Sequence, residues 1–227
     1  MNYIIGIDEA GRGPWAWPIV VGGWFCEKEK YEENIKTLHG LGDSKKLSEI
    51  KRENIFYSIE GLQERNLCQY TFAYREAHEI DSLGIREANR LCMQDVLLSL
   101  LQYTEESDFV EIYIDGSDNF IFDGIDCSYT FAKKRNQKEK GKTWERKEKH
   151  IYYIIWWDAT IPAISSASII AKVTRDRMMC DFHENFPEYW FNIHKGYGTR
   201  KHSEALVNYG ITPLHRKSYA PVKKLIF

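Results

Sequence analysis

Two adjacent carboxylates, Asp8 and Glu9, close the short run Ile4-Ile5-Gly6-Ile7 and are followed by Gly11-Arg12-Gly13-Pro14. The β-branched residues suit a buried strand, and the glycines and proline stop it. The acids therefore fall at a strand end, the edge of an α/β sheet where ligands bind. The placement recurs twice: residues 109–114 alternate and run into Asp115-Gly116, and the apolar run 151–157 stops on Asp158. Taken singly, Asp8-Glu9 and Asp115-Gly116 read first as ordinary acidic turns. Parallel strands would bring all four acids to one edge, where mutual repulsion raises their proton affinity unless a cation neutralises them. Carboxylates without a His or Cys cluster select Mg²⁺ or Mn²⁺ over zinc. Two such ions about 3.5–4 Å apart serve in-line displacement at phosphorus.

Other candidates surround the acids. The glycines of Gly11-Arg12-Gly13 expose backbone that can approach a ligand closely. Ser44, Lys45 and Lys46, in Leu41-Gly42-Asp43-Ser44-Lys45-Lys46-Leu47-Ser48, either hold a phosphate or form a solvated helix start capped by Ser44 or Ser48. Residues 133–150 carry nine Lys and Arg against three Glu. Such a block is either a solvated loop or a flap on phosphates, with Trp144 able to stack on a base or sugar.

The elements that must position these residues follow from periodicity. Residues 19–26 and 68–74 read as strands, the first pairing back on the opening strand. Ile85, Ala88, Cys92, Val96 and Leu100 recur at helical spacing, and helices are predicted over 163–186 and around 201–209. At 227 residues and 43% hydrophobic content, one large domain is expected. Five scattered cysteines without C-x-x-C spacing argue for reduced thiols in a cytosolic compartment. No run approaches the ~18 apolar residues of a membrane span, and a strand begun by Tyr3 leaves no room for a signal peptide. A net charge of −2 does not announce a polyanion binder, so such binding must rest on local clusters. The expectation is a cytoplasmic monomer.

The string Gly6-Ile7-Asp8-Glu9-Ala10-Gly11-Arg12-Gly13-Pro14 resembles the signature of type 2 ribonucleases H, the ribonuclease HII family. So do Asp43-Ser44-Lys45-Lys46-Leu47, Asp115-Gly116 and Ser165-Ser166-Ala167-Ser168-Ile169-Ile170-Ala171-Lys172-Val173-Thr174-Arg175-Asp176. Gly196-Tyr197-Gly198-Thr199 with His202 and His215-Arg216-Lys217-Ser218-Tyr219-Ala220-Pro221 extend the likeness over nearly the whole chain. The resemblance implies an α/β ribonuclease H-like fold, a mixed five-stranded sheet flanked by helices with a helical C-terminal region. On that basis residues 1–186 are the catalytic domain, with 133–150 an inserted basic loop, and 187–227 pack on it. It further implies cleavage of the RNA strand of RNA–DNA hybrids, and nicking of duplex DNA 5′ to an embedded ribonucleotide, leaving 3′-hydroxyl and 5′-phosphate.

Residue by residue, the resemblance assigns Asp8, Glu9, Asp115 and Asp158 to two divalent ions, Mg²⁺ or Mn²⁺. Gly11-Arg12-Gly13 becomes the loop whose backbone reads the ribose 2′-hydroxyl. Tyr197 packs on the deoxyribose after the ribonucleotide, and Lys45 and Lys46 contact phosphates. Asp176, on a helix after an arginine, is read as structural. The chain departs from the pattern at Trp15-Ala16-Trp17, where small residues are usual and Trp17 replaces a glycine. That bulk beside the 2′-hydroxyl loop implies an altered substrate preference. Trp156-Trp157 stands before Asp158 in place of a small polar pair, and the interval from Asp115 to Asp158 is long. The alternatives are a type 3 ribonuclease H, another nuclease of the same fold, and a binding protein that has lost cleavage.

Overall fold

The computed structural model describes residues 1–44, 46–116, 118–131, 148–154 and 161–225. Six strands form one mixed sheet in the order β3-β2-β1-β4-β6-β5. They are β1 Asn2–Ala10, β2 Ile19–Glu27, β3 Gln69–Arg75, β4 Phe109–Asp115, β5 Ser128–Phe131 and β6 Lys149–Ile154. β1, β2 and β3 are antiparallel neighbours, while β1, β4, β6 and β5 run parallel. The sheet thus has one strand more than the five expected. The extra strand, β5, has only four residues and exists through its pairing with β6, so no pattern of its own marks it. Lys149 and His150, read with the basic segment, begin β6. β1 also runs past the acids, because Glu9 and Ala10 still pair with Val21 and Val20.

Alternation along β1 divides its side chains between two helical layers. Ile5 and Ile7 join Val21, Ile112 and Ile114 under helix α4 (Ile85–Leu101), whose stripe is Ala88, Cys92, Val96 and Leu100. Ile4 faces the other way, with Trp24 of β2, with Ile169, Ile170 and Val173 of helix α5 (Pro162–Asn185), and with Ile55 and Ile59 of α2 (Glu49–Glu64). Each of these fully buried aliphatic side chains contributes roughly 1.5–3 kcal/mol. In chain order the helices are α1 Tyr31–Thr37, α2 Glu49–Glu64, α3 Ala77–Leu83, α4 Ile85–Leu101, α5 Pro162–Asn185, α6 Phe191–His194, α7 Arg200–Tyr209 and α8 Ala220–Lys223. Ser48 caps α2 by accepting from Lys51 N–H, while Ser44 is turned inward.

Helix α5 lies unusually close to the sheet. A Cβ on Gly6 would stand 2.1 Å from the Ala163 carbonyl oxygen, and one on Gly22 2.4 Å from that of Ala167. Glycine is required at both positions for the helix backbone to touch the strands. Beyond the sheet, Met179 of α5 shares a third cluster with Tyr189, Phe191, Leu206 and Leu214, and with Ala16 from the turn after β1.

Candidate active site

The parallel register sets Ile7 beside Ile114, so Asp8 and Asp115 follow at one level on adjacent strands. Asp115 in turn stands beside Ile154 on β6. Asp158 lies outside the described residues, as do Lys45, Trp144, Trp156, Trp157 and residues 133–147 of the basic stretch. Asp8 is 4% exposed and shares the α5 side of β1 with Ile4 and Gly6. Burial holds its proton affinity well above the usual carboxylate range, and Glu9 and Asp115 push it the same way. The Ser168 hydroxyl on α5 and the Glu9 N–H, 2.7 Å from Oδ1, offset part of that.

Glu9 parts from this pair. As the next residue along the strand its side chain turns to the α4 side, towards Arg12 at 3.5 Å and Asn89. Burial raises its proton affinity too, against the pull of Arg12 and Asn89. Arg12 is shared with Asp118, 2.7 Å away. Asn89, fully buried on α4, lines the same recess as Glu9, Asp115 and Asp118. No sequence signal singled it out, because an asparagine on an apolar helix face carries no motif. Among the described residues no three His, Cys, Asp or Glu side chains form a ready-made metal cage. The donor chemistry nevertheless fits a hard divalent ion: Asp8 and Asp115 are crowded oxygen ligands whose repulsion a cation relieves.

The turn after β1 is held from behind. Gly11 has φ +96°, and a Cβ there would stand 2.3 Å from Arg175 Nε. Arg216, fully buried, donates to the carbonyls of Gly11 at 2.6 Å, Arg12 at 3.0 Å and Trp17 at 2.6 Å. Tyr219 adds a hydroxyl donor to the Arg12 carbonyl at 2.6 Å. Every peptide in the described chain is trans, so carbonyls drawn towards Arg216 turn the N–H groups of Arg12 and Gly13 the opposite way. Two donors on a tight turn can hold one hydroxyl. Arg175, also buried, donates to the carbonyls of Pro18 and Ala16 and is pushed down to about 10 by burial and by Arg216.

Tyr197 is 45% exposed, and a Cβ on Gly13 would lie 3.9 Å from its ring. The two recognition candidates are therefore neighbours. Trp15 and Trp17 point elsewhere: the Trp15 ring covers Gly198, and the Trp17 ring packs 4.2 Å from Phe182. Trp17 has φ +60°, a backbone conformation that explains why glycine suits the position. Ser44 is buried, its hydroxyl 2.7 Å from that of Ser168, so it braces the loop against the partner of Asp8. Lys46 is exposed and 3.3 Å from Asp43. Asp176 is buried between Arg52 and Lys172.

Comparison with known proteins gives one answer throughout. The family model described as Ribonuclease HII matches residues 5–222. A Ribonuclease HII of Acholeplasma laidlawii is 39% identical over 232 residues, covering 99% of this chain and 91% of the relative. One of Coxiella burnetii is 37% identical over 222 residues, covering 98% and 90%. Among solved structures, ribonuclease H2 from Pyrococcus horikoshii superposes with a TM-score of 0.70 at 24% identity, over 98% of this chain and 96% of that one. A Bst ribonuclease HIII in complex with Mn²⁺ gives 0.69 at 18% identity, over 99% of this chain and 69% of that one. Those two likenesses speak to the fold, while the family match and the curated relatives speak to ancestry. By them the chain belongs to the ribonuclease HII family.

Proposed function

We propose that the chain is a divalent-metal-dependent endoribonuclease. It cleaves the RNA strand of RNA–DNA hybrids and nicks duplex DNA 5′ to a single ribonucleotide, leaving a 3′-hydroxyl and a 5′-phosphate. The observation that carries the reading is the side-by-side placement of buried Asp8 and half-buried Asp115 next to a turn whose N–H groups face away from Arg216. Asp8, Glu9, Asp115 and Asp158 hold the ions, and Mn²⁺ is the ion in the complex of the Bst ribonuclease HIII. When bound, two divalent ions supply charge neutralisation at phosphorus and an acidified water. The chain's own residues do the rest. The Arg12 and Gly13 N–H groups take the ribose 2′-hydroxyl, and the Tyr197 ring packs on the following sugar. Lys45, Lys46 and the basic stretch 133–147 contact phosphates.

The reading of a binding protein that has lost cleavage is not favoured, because Trp15 and Trp17 have their places against Gly198 and Phe182. The deciding assay offers duplex DNA carrying one ribonucleotide, beside a uniform RNA–DNA hybrid, to wild type and Asp8→Asn with Mg²⁺ or Mn²⁺. Wild type should nick both and Asp8→Asn neither; no metal-dependent cut in either duplex defeats the proposal.

A further inference from the structure

Three imidazoles, His194, His202 and His215, lie together beneath the 196–199 turn, all buried. None has a part in the chemistry above. The rings of His194 and His202 stack 4.6 Å apart, and the Nε2 atoms of His202 and His215 are 3.0 Å apart. Burial pushes all three below the usual histidine range, His202 to about 3 and His215 to about 4. Each ring is therefore neutral and carries a single proton.

The partners decide where each proton sits. Thr212 N–H donates to His215 Nδ1 at 2.9 Å, which leaves the His215 proton on Nε2. That Nε2–H donates to His202 Nε2, so the His202 proton is on Nδ1, 3.0 Å from the Tyr197 carbonyl oxygen. His194 accepts from Gly196 N–H at 3.2 Å and donates to the Tyr189 carbonyl at 2.6 Å. The Tyr197 N–H donates to the His194 carbonyl at 2.9 Å. Both peptide units of Tyr197 are thus tied down, while its ring stays exposed beside Gly13 and 5.8 Å from the Arg175 guanidinium.

We propose that His202, oriented by His215, is a positioning residue for Tyr197. Its Nδ1–H, with the Thr199 N–H at 2.8 Å, holds the carbonyl that fixes the backbone from which the exposed ring meets the sugar. The donors run in one direction, Thr212 to His215 to His202 to Tyr197, and end on the backbone of the exposed ring. The inference rests on the reading of Tyr197 given above.

The test compares Tyr197→Ala, His202→Leu, His202→Asn and His215→Leu. For each, kcat and KM are measured on duplex DNA with one ribonucleotide and on a uniform hybrid, with calorimetric Mn²⁺ titration as a control. Asparagine places an N–H near the site of Nδ1 and can still reach the carbonyl; leucine cannot. Tyr197→Ala and His202→Leu should each lower the single-ribonucleotide to hybrid ratio of kcat/KM about tenfold, mainly through KM, as misplacement of a positioning group does. His202→Asn should keep most of that ratio, and Mn²⁺ affinity should stay constant throughout. Should His202→Leu fail to fold, His215→Leu carries the test, because it frees the His202 tautomer and should lower the ratio about threefold. A ratio unchanged in His202→Leu or His215→Leu, but lowered in Tyr197→Ala, overturns the positioning role alone. A ratio lowered as fully in His202→Asn as in His202→Leu overturns it too. A ratio unchanged in Tyr197→Ala overturns the reading of Tyr197 and the inference with it.

Discussion

Arg216 donates to the Gly11 carbonyl at 2.6 Å across 205 residues of sequence. The guanidinium is fully buried, and its described partners are carbonyls and the Tyr219 hydroxyl. Lysine at this position keeps the charge but loses the planar fork. Arg216→Lys should lose about 2–4 kcal/mol of stability in urea unfolding, because several buried carbonyls are left without donors. Cleavage should fall further than Mn²⁺ affinity does; equal losses would mean that the turn and the metal acids are not separable.

Asp8 carries a stability penalty that a cation should lift. Its folded-state proton affinity is raised above the ordinary 3.8, so the stability it contributes is present below that value and is lost as pH rises. At neutral pH without metal, Asp8→Asn should be more stable than wild type, which urea unfolding reads. Saturating MgCl₂ or MnCl₂ should raise the wild-type Tm and leave Asp8→Asn nearly unmoved, which a thermal-shift titration reads directly.

The buried histidines set a limit on the acid side. His202 and His215 are depressed from 6.5 to about 3 and about 4, so their stabilisation is complete above 6.5 and drains away as pH falls towards those values. Each contributes a slope of up to about 1.4 kcal/mol per pH unit. Asp8 acts with the opposite sign over part of the window, so the measurement belongs in the Asp8→Asn background. Urea midpoints there should fall steadily from pH 6.5 to 4, and a flat profile would mean that these rings titrate normally.

Gly22→Ala should be among the most damaging single-methyl additions in the molecule. The new Cβ would stand 2.4 Å from the Ala167 carbonyl and 2.7 Å from Ala171 N, both helix backbone. A cost of about 3 kcal/mol is expected, at the upper end of overpacking. Because α5 also carries Ser168, which supports Asp8, calorimetric Mn²⁺ affinity should drop in the fraction that still folds.

Deleting residues 133–147, which leaves β6 intact, should weaken hybrid binding and flatten its dependence on salt. Every phosphate that the shortened chain no longer neutralises lowers the slope of log K against log salt by about 0.9. An unchanged slope in a titration from low to moderate salt would remove this stretch from the interface.

Much of this architecture is legible in the order of the residues. Runs of β-branched residues ending in Asp8 and Asp115, and the stripe Ala88-Cys92-Val96-Leu100, announce their elements because periodicity follows directly from burial. β5 does not announce itself, since four residues carry too little pattern and depend on β6. The separation of Glu9 from Asp8 follows from strand alternation alone. The roles of Ser44 and Arg216 do not, because a hydroxyl paired 124 residues away and a guanidinium pinned 205 residues away leave no local trace.

The Trp15 ring lies where any side chain on residue 198 would have to go. Trp15 N–H also donates to the Gly196 carbonyl, and its own carbonyl accepts from Arg216 N–H. The turn proposed to test for a hydroxyl and the turn that presents Tyr197 are in effect one mechanical part, assembled from stretches far apart in the sequence. Neither can be retuned for another sugar by itself. A lineage, or an engineer, seeking a new substrate must change both at once, and grafting only the first fifteen residues onto a relative should transplant Asp8 and Glu9 without transplanting the selectivity.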